Sequence, residues 1–218
     1  MTTSRARMTR TMDRPDVLAA IHDPDCHLAV WRRAPFADLA PLVAGTPQDL
    51  RFDTTPAALH ARLAAQLARK GFGGPAALHA ALTRDVADLA AHFCAVMGLA
   101  RLALRLEVVR SDSCRRFHAD YVTARLITTY LGEGTQWLDA ADAARVKAGV
   151  EPQRIHQLAP FDVGLFKGRL ASERPAIHRS PPIAGSPGGV RLLLVLNPVS
   201  ADMEAARQST LSPGAALA

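Results

Sequence analysis

The chain has 218 residues, of which 26 are Lys or Arg and 20 are Asp or Glu, so its formal charge at pH 7 is +6. A hydrophobic content of 49% excludes a disordered chain, and no uncharged apolar run is long enough to span a bilayer. Lys70, Lys147 and Lys167 are the only lysines, and the many arginines are scattered along the chain. Because the sequence has no basic block and few aromatic residues, we predict no nucleic-acid partner and no membrane partner.

The two ends of the chain and its cysteines bear on organisation and compartment. Residues 1–14 carry several arginines and no apolar segment, which predicts a disordered basic tail. Residues 200–218 have no sustained apolar period and are predicted to form a second disordered tail. The three cysteines are an odd number at wide spacings, so we expect no disulfide framework and a cytoplasmic protein. The remaining residues, 15–199, are predicted to form a single domain.

The first half of this domain is predicted to be mainly helical. Thr55 followed by Pro56 is typical of a helix start, because a threonine hydroxyl caps the first turn and proline fits the first helical position. Leucines then recur at four-residue spacing, and a second helix with an apolar stripe is predicted from near Pro75 to near Gly98. This half also contains two predicted short strands, at residues 28–31 and at about 50–52.

After Gly98 the apolar residues recur at every second position, which is typical of a half-buried strand. The first such run begins at Leu102. Four further segments bounded by Gly, Pro or Ser are predicted strands: residues 117–131, 163–166, 176–178 and 190–196. Helices packed on a sheet of short, mostly antiparallel strands make an α+β domain, with residues 15–98 as a helical cap and residues 99–199 as the β core.

The residues most suited to chemistry lie in the strand half. His118 and Asp120 are two positions apart, so on a strand both side chains project from one face and can converge on one cation. His178 lies on another predicted strand and could supply a third ligand. Two histidines and one carboxylate form the facial set that binds non-haem Fe(II) and leaves positions open. We therefore predict that His118, Asp120 and His178 are metal ligands and catalytic residues, with a purely structural His118–Asp120 pair as the alternative.

The order of these residues and their flanking segments resembles the Fe(II)/2-oxoglutarate-dependent dioxygenases. A tyrosine-leucine strand end with a glycine turn at residues 129–135, a Gly-Leu-Phe-x-Gly segment at residues 164–168, and Arg191 after the distal histidine carry the resemblance. It implies a double-stranded β-helix (jelly-roll) core, Fe(II) and 2-oxoglutarate as cofactors, and hydroxylation of a substrate. It also implies that Arg191 pairs with the distal carboxylate of 2-oxoglutarate, for which a planar fork of donors is suited.

Further residues are predicted to assist Arg191. Many of these enzymes carry a hydroxyl two residues after the arginine, whereas this chain has Leu193 there. The hydroxyls that could replace it from neighbouring strands are those of Tyr121, Thr128, Thr129 and Tyr130. Arg125 follows His118 on the same predicted strand and faces either the pocket or solvent. The predicted cofactor-binding residues are Arg191, Arg125, Thr129 and Tyr130.

Longer strings of the sequence are similar to a bacterial family known as domain of unknown function 1826. The strings are residues 114–121, 124–126, 129–138 and 178–182. This resemblance spans most of the chain and implies no established reaction. Members of that family are sometimes found beside zinc-handling GTPases, which favours zinc homeostasis as a second interpretation.

A cysteine near the predicted metal site also favours that second interpretation. Cys114 precedes His118 by four residues, and its thiolate would complete a Cys, His, Asp and His set that suits tetrahedral Zn(II). A buried, unreactive Cys114 is the simpler alternative. The two hypotheses are a metal-dependent oxygenase acting on an unknown small-molecule or protein substrate, and a non-redox zinc-binding protein. The sequence predicts neither the substrate nor the oligomeric state.

Overall fold

Two β-sheets and a layer of helices make a mixed α/β fold. A computed structural model describes residues 9–112, 114–183 and 189–199. The helices are α1 (Pro56–Arg69), α2 (Ala76–Met97) and α3 (Ala140–Lys147), with short 3-10 helices at Pro15–His22 and Ala40–Val43. The strands are β1 (Thr9–Met12), β2 (Leu28–Trp31), β3 (Leu50–Thr54), β4 (Leu102–Val109), β5 (Ala124–Leu131), β6 (Gln136–Trp137), β7 (His156–Gln157), β8 (Val163–Lys167), β9 (His178–Arg179) and β10 (Arg191–Pro198).

The larger sheet has seven strands in the order β1-β2-β8-β5-β10-β4-β3, and the smaller sheet has the order β7-β6-β9. The pair of β1 and β2 is parallel, whereas β10 is antiparallel to both of its neighbours, β4 and β5. His118 joins the smaller sheet through an isolated antiparallel bridge to His178.

The strands from β4 to β10 pair in the manner of a hairpin: the first pairs with the last, and each following strand pairs with the one before it at the other end. β4 pairs with β10, the His118 segment with β9, β5 with β8, and β6 with β7. Successive segments alternate between the larger and the smaller sheet, except that β6 and β7 are neighbours in the smaller one. This part of the chain is therefore one long antiparallel hairpin wound into two sheets, so that residues distant in sequence meet in the same layer.

The predicted start of α1 and the predicted start and end of α2 are confirmed. The Thr55 hydroxyl accepts a hydrogen bond from the Ala58 backbone N–H at 3.3 Å, and Pro56 occupies the first helical position of α1. At the end of α2, Gly98 adopts a left-handed φ of 65°, which glycine tolerates because it has no Cβ. Among the described residues, no helix has the length and apolar character needed to cross a membrane.

Side chains of β10 alternate between the two faces of the larger sheet. Leu192, Leu194 and Leu196 pack in one apolar cluster with the leucines of α1 and α2. Leu193 and Val195 belong to a second, smaller cluster, against which Trp137 of the smaller sheet packs. The helices therefore cover one face of the larger sheet, and the other face lines the space between the sheets.

Two predictions for the N-terminal half require correction. Thr9–Met12 forms β1 and pairs with β2, so the predicted disordered tail of residues 1–14 is wrong for this segment. Residues 1–8 and the predicted tail at 200–218 lie outside the described residues. The predicted cap, residues 15–98, supplies β2 and β3 to the larger sheet and so is not separate from the β core.

The predicted strand at residues 117–131 is also interrupted. His118 makes its bridge near the start of this segment, the chain bends at residues 121–123, and β5 begins only at Ala124. The bend matters for the site, because it allows Asp120 and Arg125 to approach each other across the turn of the chain.

A partly buried ion pair holds α2 against the sheet. The Arg33 guanidinium donates to both carboxylate oxygens of Asp85, at 2.6 and 3.1 Å. The Tyr130 hydroxyl on β5 donates to Asp85 Oδ2 at 2.6 Å. Burial, together with the negative charge of Asp85, raises the pKa of Tyr130 well above its usual value, so this hydroxyl stays protonated and acts as a donor. The network ties α2 directly to β5.

Candidate metal centre

His118, Asp120 and His178 come together between the two sheets. The backbone N–H of His118 donates to the carbonyl of His178, and that of His178 donates to the carbonyl of His118, each at 3.0 Å. This reciprocal pair fixes the two histidines side by side, with ring centroids 4.8 Å apart. One candidate ligand atom from each of the three residues lies within 4.8 Å of the others. The predicted set is therefore assembled in one place.

Asp120 faces both imidazole rings. Its Oδ1 lies 3.6 Å from Nε2 of His118, and its Oδ2 lies 3.2 Å from Nε2 of His178. The His178 side chain is 4% exposed and that of Asp120 is 7% exposed, whereas His118 lies closer to solvent. Two imidazole nitrogens and a carboxylate thus converge at the inner end of a partly open site.

The Nδ1 atoms of both histidines point at backbone carbonyls. Nδ1 of His118 lies 2.9 Å from the carbonyl oxygen of Arg116, and Nδ1 of His178 lies 3.4 Å from that of Ala176. A carbonyl oxygen only accepts, so each contact favours the tautomer with a proton on Nδ1. The lone pair of each Nε2 is then directed at the space that Asp120 also faces, which is the arrangement that a metal ion requires.

The neighbours of Asp120 stabilise the negative charge of its carboxylate. Burial acts to raise the pKa of this carboxyl, but contacts with His118 and His178 and the positive charge of Arg125 outweigh it, so the pKa lies well below its usual range. The Arg125 guanidinium donates to Oδ1 at 2.5 Å. Oδ2 is buried and accepts no hydrogen bond from the described residues. A buried, charged oxygen without a donor fits a metal ligand, because such an atom is otherwise costly.

Arg191 is buried among neutral acceptors. It is 1% exposed and forms no ion pair with an acidic residue in the described part of the chain. Its Nε donates to the Glu133 carbonyl at 2.6 Å and its Nη1 to Ser180 Oγ at 2.9 Å. Its Nη2 contacts the hydroxyls of Thr129 at 3.2 Å and Thr135 at 3.5 Å. Burial without a close counter-charge lowers the pKa of Arg191 to about 10, and the arginine remains a cation at neutral pH.

The glycine turn predicted after β5 shapes this arginine pocket. Gly132 has a left-handed φ of 80°, a conformation that a residue with a Cβ rarely adopts. The turn directs the Glu133 carbonyl at Arg191 Nε and brings Thr135 within reach of Nη2. The turn thus supplies two of the neutral acceptors around the buried cation.

A cavity of roughly 420 Å³ connects the metal set to this pocket. His118 and His178 line it, and so do Ser180 and Thr135, which contact Arg191. The apolar wall comes from the inner face of the larger sheet and includes Leu193. The arginines that line the cavity are Arg51, Arg105, Arg110, Arg125 and Arg179.

The predicted cofactor residues divide into two groups. Thr129 and Arg125 face the site, the first against Arg191 and the second against Asp120. Tyr130 lies on the other face of the sheet, where its ring packs with Phe161 and its hydroxyl donates to Asp85. The prediction that Tyr130 binds a cofactor is therefore corrected: adjacent residues of a strand face opposite sides, so Thr129 and Tyr130 cannot share one pocket.

Cys114 lines the cavity but does not join the metal set. It is exposed rather than buried, and its Sγ is not among the atoms that lie within 4.8 Å of one another. Its backbone has a left-handed φ of 52°, and its carbonyl accepts from the Ser180 backbone N–H at 3.2 Å. The predicted Cys, His, Asp and His set, and the simpler alternative of a buried Cys114, are both wrong in this structure.

Three residues of the site were missed by sequence reasoning. Ser180 and Thr135 contact Arg191, and the Asn197 side chain accepts from Arg125 Nε at 2.7 Å. Asn197 could have been found, because it lies on β10 at even spacing from Arg191 and therefore on the same face. Ser180 and Thr135 lie outside regular strands, and no periodicity marks them.

The placement of Tyr130 gives a first testable expectation. Tyr130→Phe removes one hydrogen bond to a partly buried carboxylate, and the free energy of unfolding should fall by about 1–3 kcal/mol. Metal affinity should not change, because the hydroxyl lies on the helix side of the sheet. Urea unfolding followed by circular dichroism, with a parallel metal titration, measures both quantities. Weakened metal binding at unchanged stability would contradict the placement.

The fold and the site together define a mixed α/β protein with a His–Asp–His candidate metal centre. The chain belongs to the family described as Protein of unknown function (DUF1826), whose sequence profile matches residues 12–197. The resemblance drawn from the residue strings is thereby confirmed. No curated protein matches the chain in sequence.

Solved structures that are similar to this chain include the following two. One is the dioxygenase for auxin oxidation 1 from Arabidopsis thaliana in complex with 2-oxoglutarate, at 10% identity, covering 87% of this chain and 91% of that one, with a TM-score of 0.46. The other is a bsmA homolog from Methylobium petroleophilum PM1, at 16% identity, covering 86% of this chain and 93% of that one, with a TM-score of 0.42.

Proposed function

We propose that this protein is an Fe(II)- and 2-oxoglutarate-dependent oxygenase. The observation that carries the proposal is a pair of features on one cavity: a His–Asp–His set with an unpartnered carboxylate oxygen, and a buried arginine with only neutral partners. The first feature fits a divalent metal and the second fits a small carboxylate. The substrate is a small molecule or a protein that the enzyme would hydroxylate.

The strand pairing supports the same assignment. Eight segments, from β4 to β10 with the His118 segment included, form a nested antiparallel hairpin wound into two facing sheets. We interpret this arrangement as a double-stranded β-helix, or jelly roll, in which side chains of both sheets fill the interior. His118 and His178 are partners in one layer of the roll, and Arg191 begins the last strand.

The chain's own residues would have distinct roles in this reaction. Nε2 of His118, Nε2 of His178 and a carboxylate oxygen of Asp120 would hold Fe(II), which when bound supplies the chemistry that activates dioxygen. Arg125 fixes the orientation of Asp120 through a charge-assisted hydrogen bond and adds to the effect of His118 and His178 in keeping this carboxyl ionised. The carbonyls of Arg116 and Ala176 keep the two imidazoles in the binding tautomer.

The proposed role of Arg191 is to bind the distal carboxylate of 2-oxoglutarate. Its Nη1 and Nη2 atoms now donate to Ser180, Thr129 and Thr135 hydroxyls, which can turn and donate to an incoming carboxylate instead. A carboxylate would also neutralise the buried cation, and a two-point interaction with arginine is strong in a poorly solvated site. Leu193 in the cavity wall limits the water around the bound acid.

The test is turnover of 2-oxoglutarate under air with Fe(II). The protein should release succinate slowly without a substrate, as the acid is consumed in an uncoupled reaction, and Zn(II) should not replace Fe(II). Arg125→Met, which leaves all three ligands in place, should slow this release and weaken metal binding about 10- to 100-fold, the usual effect of losing a group that orients a ligand. Stoichiometric zinc binding with no binding of 2-oxoglutarate would instead favour the non-redox zinc protein.

A further inference from the structure

Two arginines lie close together at the end of the cavity that β3 and β4 form. Arg51 and Arg105 stand directly opposite each other in the β3–β4 pair. Like charges in this position repel, so such pairs are disfavoured unless something holds them. Glu107 lies between them: its two carboxylate oxygens accept from Arg51 Nη2 at 2.6 Å and from Arg105 Nη2 at 3.2 Å. Arg51 has a second, more distant acidic neighbour, because its Nη2 lies 3.9 Å from Asp49 Oδ2. Arg105 has an ion pair only with the shared carboxylate of Glu107 among the described residues.

Arg105 has hydrogen-bonding capacity that the described residues do not use. Its Nε is buried and has no hydrogen-bond partner there. Its side chain is 32% exposed and lines the cavity, as do those of Arg51 and Glu107. A buried N–H of a guanidinium without an acceptor is costly, so a shift of the partly exposed Arg105 side chain that brings its donors to an acceptor in the cavity would be favourable. The arginine is therefore placed to receive a ligand.

This cationic end is separate from the Arg191 pocket. In the β4–β10 register Arg191 is opposite Val109, and Val195 is opposite Arg105. Four residues of strand separate the two positions, or about 13 Å. The apolar side chain of Leu193 lies on the cavity wall between them. A single carboxylate at Arg191 would thus leave Arg105 unoccupied.

The metal set lies close to the Arg105 end. Arg125, which contacts Asp120, also donates to Asn197, two residues beyond Val195 on β10. Along β10 the chain therefore passes first the Arg191 pocket and then the apolar wall at Leu193. It next passes Val195, which is beside Arg105, and finally Asn197, which contacts Arg125. A group held by Arg105 would project its remaining atoms toward the metal set.

We infer that the substrate carries an anionic group, a carboxylate or a phosphate, that binds Arg105 with help from Arg51. This inference rests on the proposed function, in which Arg191 is taken by 2-oxoglutarate. A guanidinium matches both anions through two parallel N–H donors. Five arginines line the cavity, against three acidic residues in or beside it: Asp49, Glu107 and Asp120. This excess of positive charge concentrates anions at the cavity mouth.

The experiment measures anion binding at the Arg105 end of the cavity while 2-oxoglutarate occupies the Arg191 pocket. Protein loaded with Mn(II) and saturated with 2-oxoglutarate is titrated at low ionic strength with sulfate, a tetrahedral probe for phosphate, and with acetate, a probe for a carboxylate. Binding is followed by calorimetry in the wild type, Arg105→Met and Arg51→Met. Arg101→Met is the matched control, because Arg101 is exposed and precedes β4 without lining the cavity.

Arg105→Met should weaken the better of the two probes at least tenfold, and Arg51→Met should weaken it less, because Arg51 is 61% exposed. Arg101→Met should have no effect, and all variants should bind 2-oxoglutarate as the wild type does. The stronger probe identifies the substrate as a phosphate or a carboxylate. If Arg105→Met does not fold, the Arg51→Met result decides.

Three results would overturn the inference: no binding of either probe to the wild type, equal binding by wild type and folded variants, or the same loss in Arg101→Met. The protein could bind sulfate or acetate through Arg105 and yet fail to bind 2-oxoglutarate. In that case the anion site would stand and the proposed function would be rejected. The two proposals can therefore fail separately.

Discussion

His178→Ala is expected to abolish stoichiometric binding of Fe(II). The side chain is buried, its Nε2 faces the Asp120 carboxylate, and alanine leaves only two ligands from the protein. Loss of groups that merely orient a ligand lowers metal affinity about 10- to 100-fold, so loss of a ligand should lower it by more than 100-fold. Anaerobic titration with Fe(II), or with Mn(II) followed by electron paramagnetic resonance, measures the affinity. Succinate release should fall to background in the same variant.

A matched control separates this effect from general loss of a histidine. His60 is exposed on α1, far from the inner face of the larger sheet, and His60→Ala should bind metal as the wild type does. Circular dichroism of both variants checks that each one folds. Full metal binding by folded His178→Ala would show that the three residues are only a structural hydrogen-bonding cluster.

Arg191→Met is expected to remove 2-oxoglutarate binding while metal binding remains. Methionine keeps an unbranched apolar stem but is shorter than arginine and uncharged, so the pocket loses the fork of donors. Removing one partner of a buried, hydrogen-bonded charge pair costs about 2–5 kcal/mol, which corresponds to an affinity at least 30-fold weaker. Calorimetric titration of 2-oxoglutarate into the Mn(II) protein measures this change.

The stability of the same variant gives a second check. In the protein without 2-oxoglutarate the Arg191 cation is buried without an acidic partner, so methionine removes a charge that is costly to bury. We therefore expect the melting temperature to fall little. Arg191→Lys keeps the charge without the fork and should bind 2-oxoglutarate with intermediate affinity. Unchanged 2-oxoglutarate affinity in Arg191→Met would reject the proposed cosubstrate site.

Residue type and spacing predicted which three candidate ligands lie together. A histidine and an aspartate two positions apart needed only an extended local backbone to face one another, and the structure places His118 and Asp120 in this way. His178 was found through the order of motifs, because no local pattern reports which strands will pair. Arg191 was found in the same manner, and its burial could not be foreseen from a strand that is apolar on both faces.

The predictions that failed depended on backbone geometry. Tyr130 was grouped with Thr129 although neighbouring strand residues face opposite sides, and a register shift between Leu192 and Leu193 in the β10–β5 pair further obscures such counting. The bend at residues 121–123 breaks a segment whose composition is that of a continuous strand. Cys114 has a left-handed backbone that spacing along the chain does not reveal.

The nested pairing of β4 to β10 has a consequence for folding kinetics. The bridge between His118 and His178 joins residues far apart in sequence, and the β4–β10 pair joins residues still farther apart. Pairings of high contact order form slowly, because the loop entropy must be lost before the contacts form. The candidate metal set can therefore form only once the His118 segment has paired with β9, so the rate at which refolding protein gains metal affinity should report this long-range pairing.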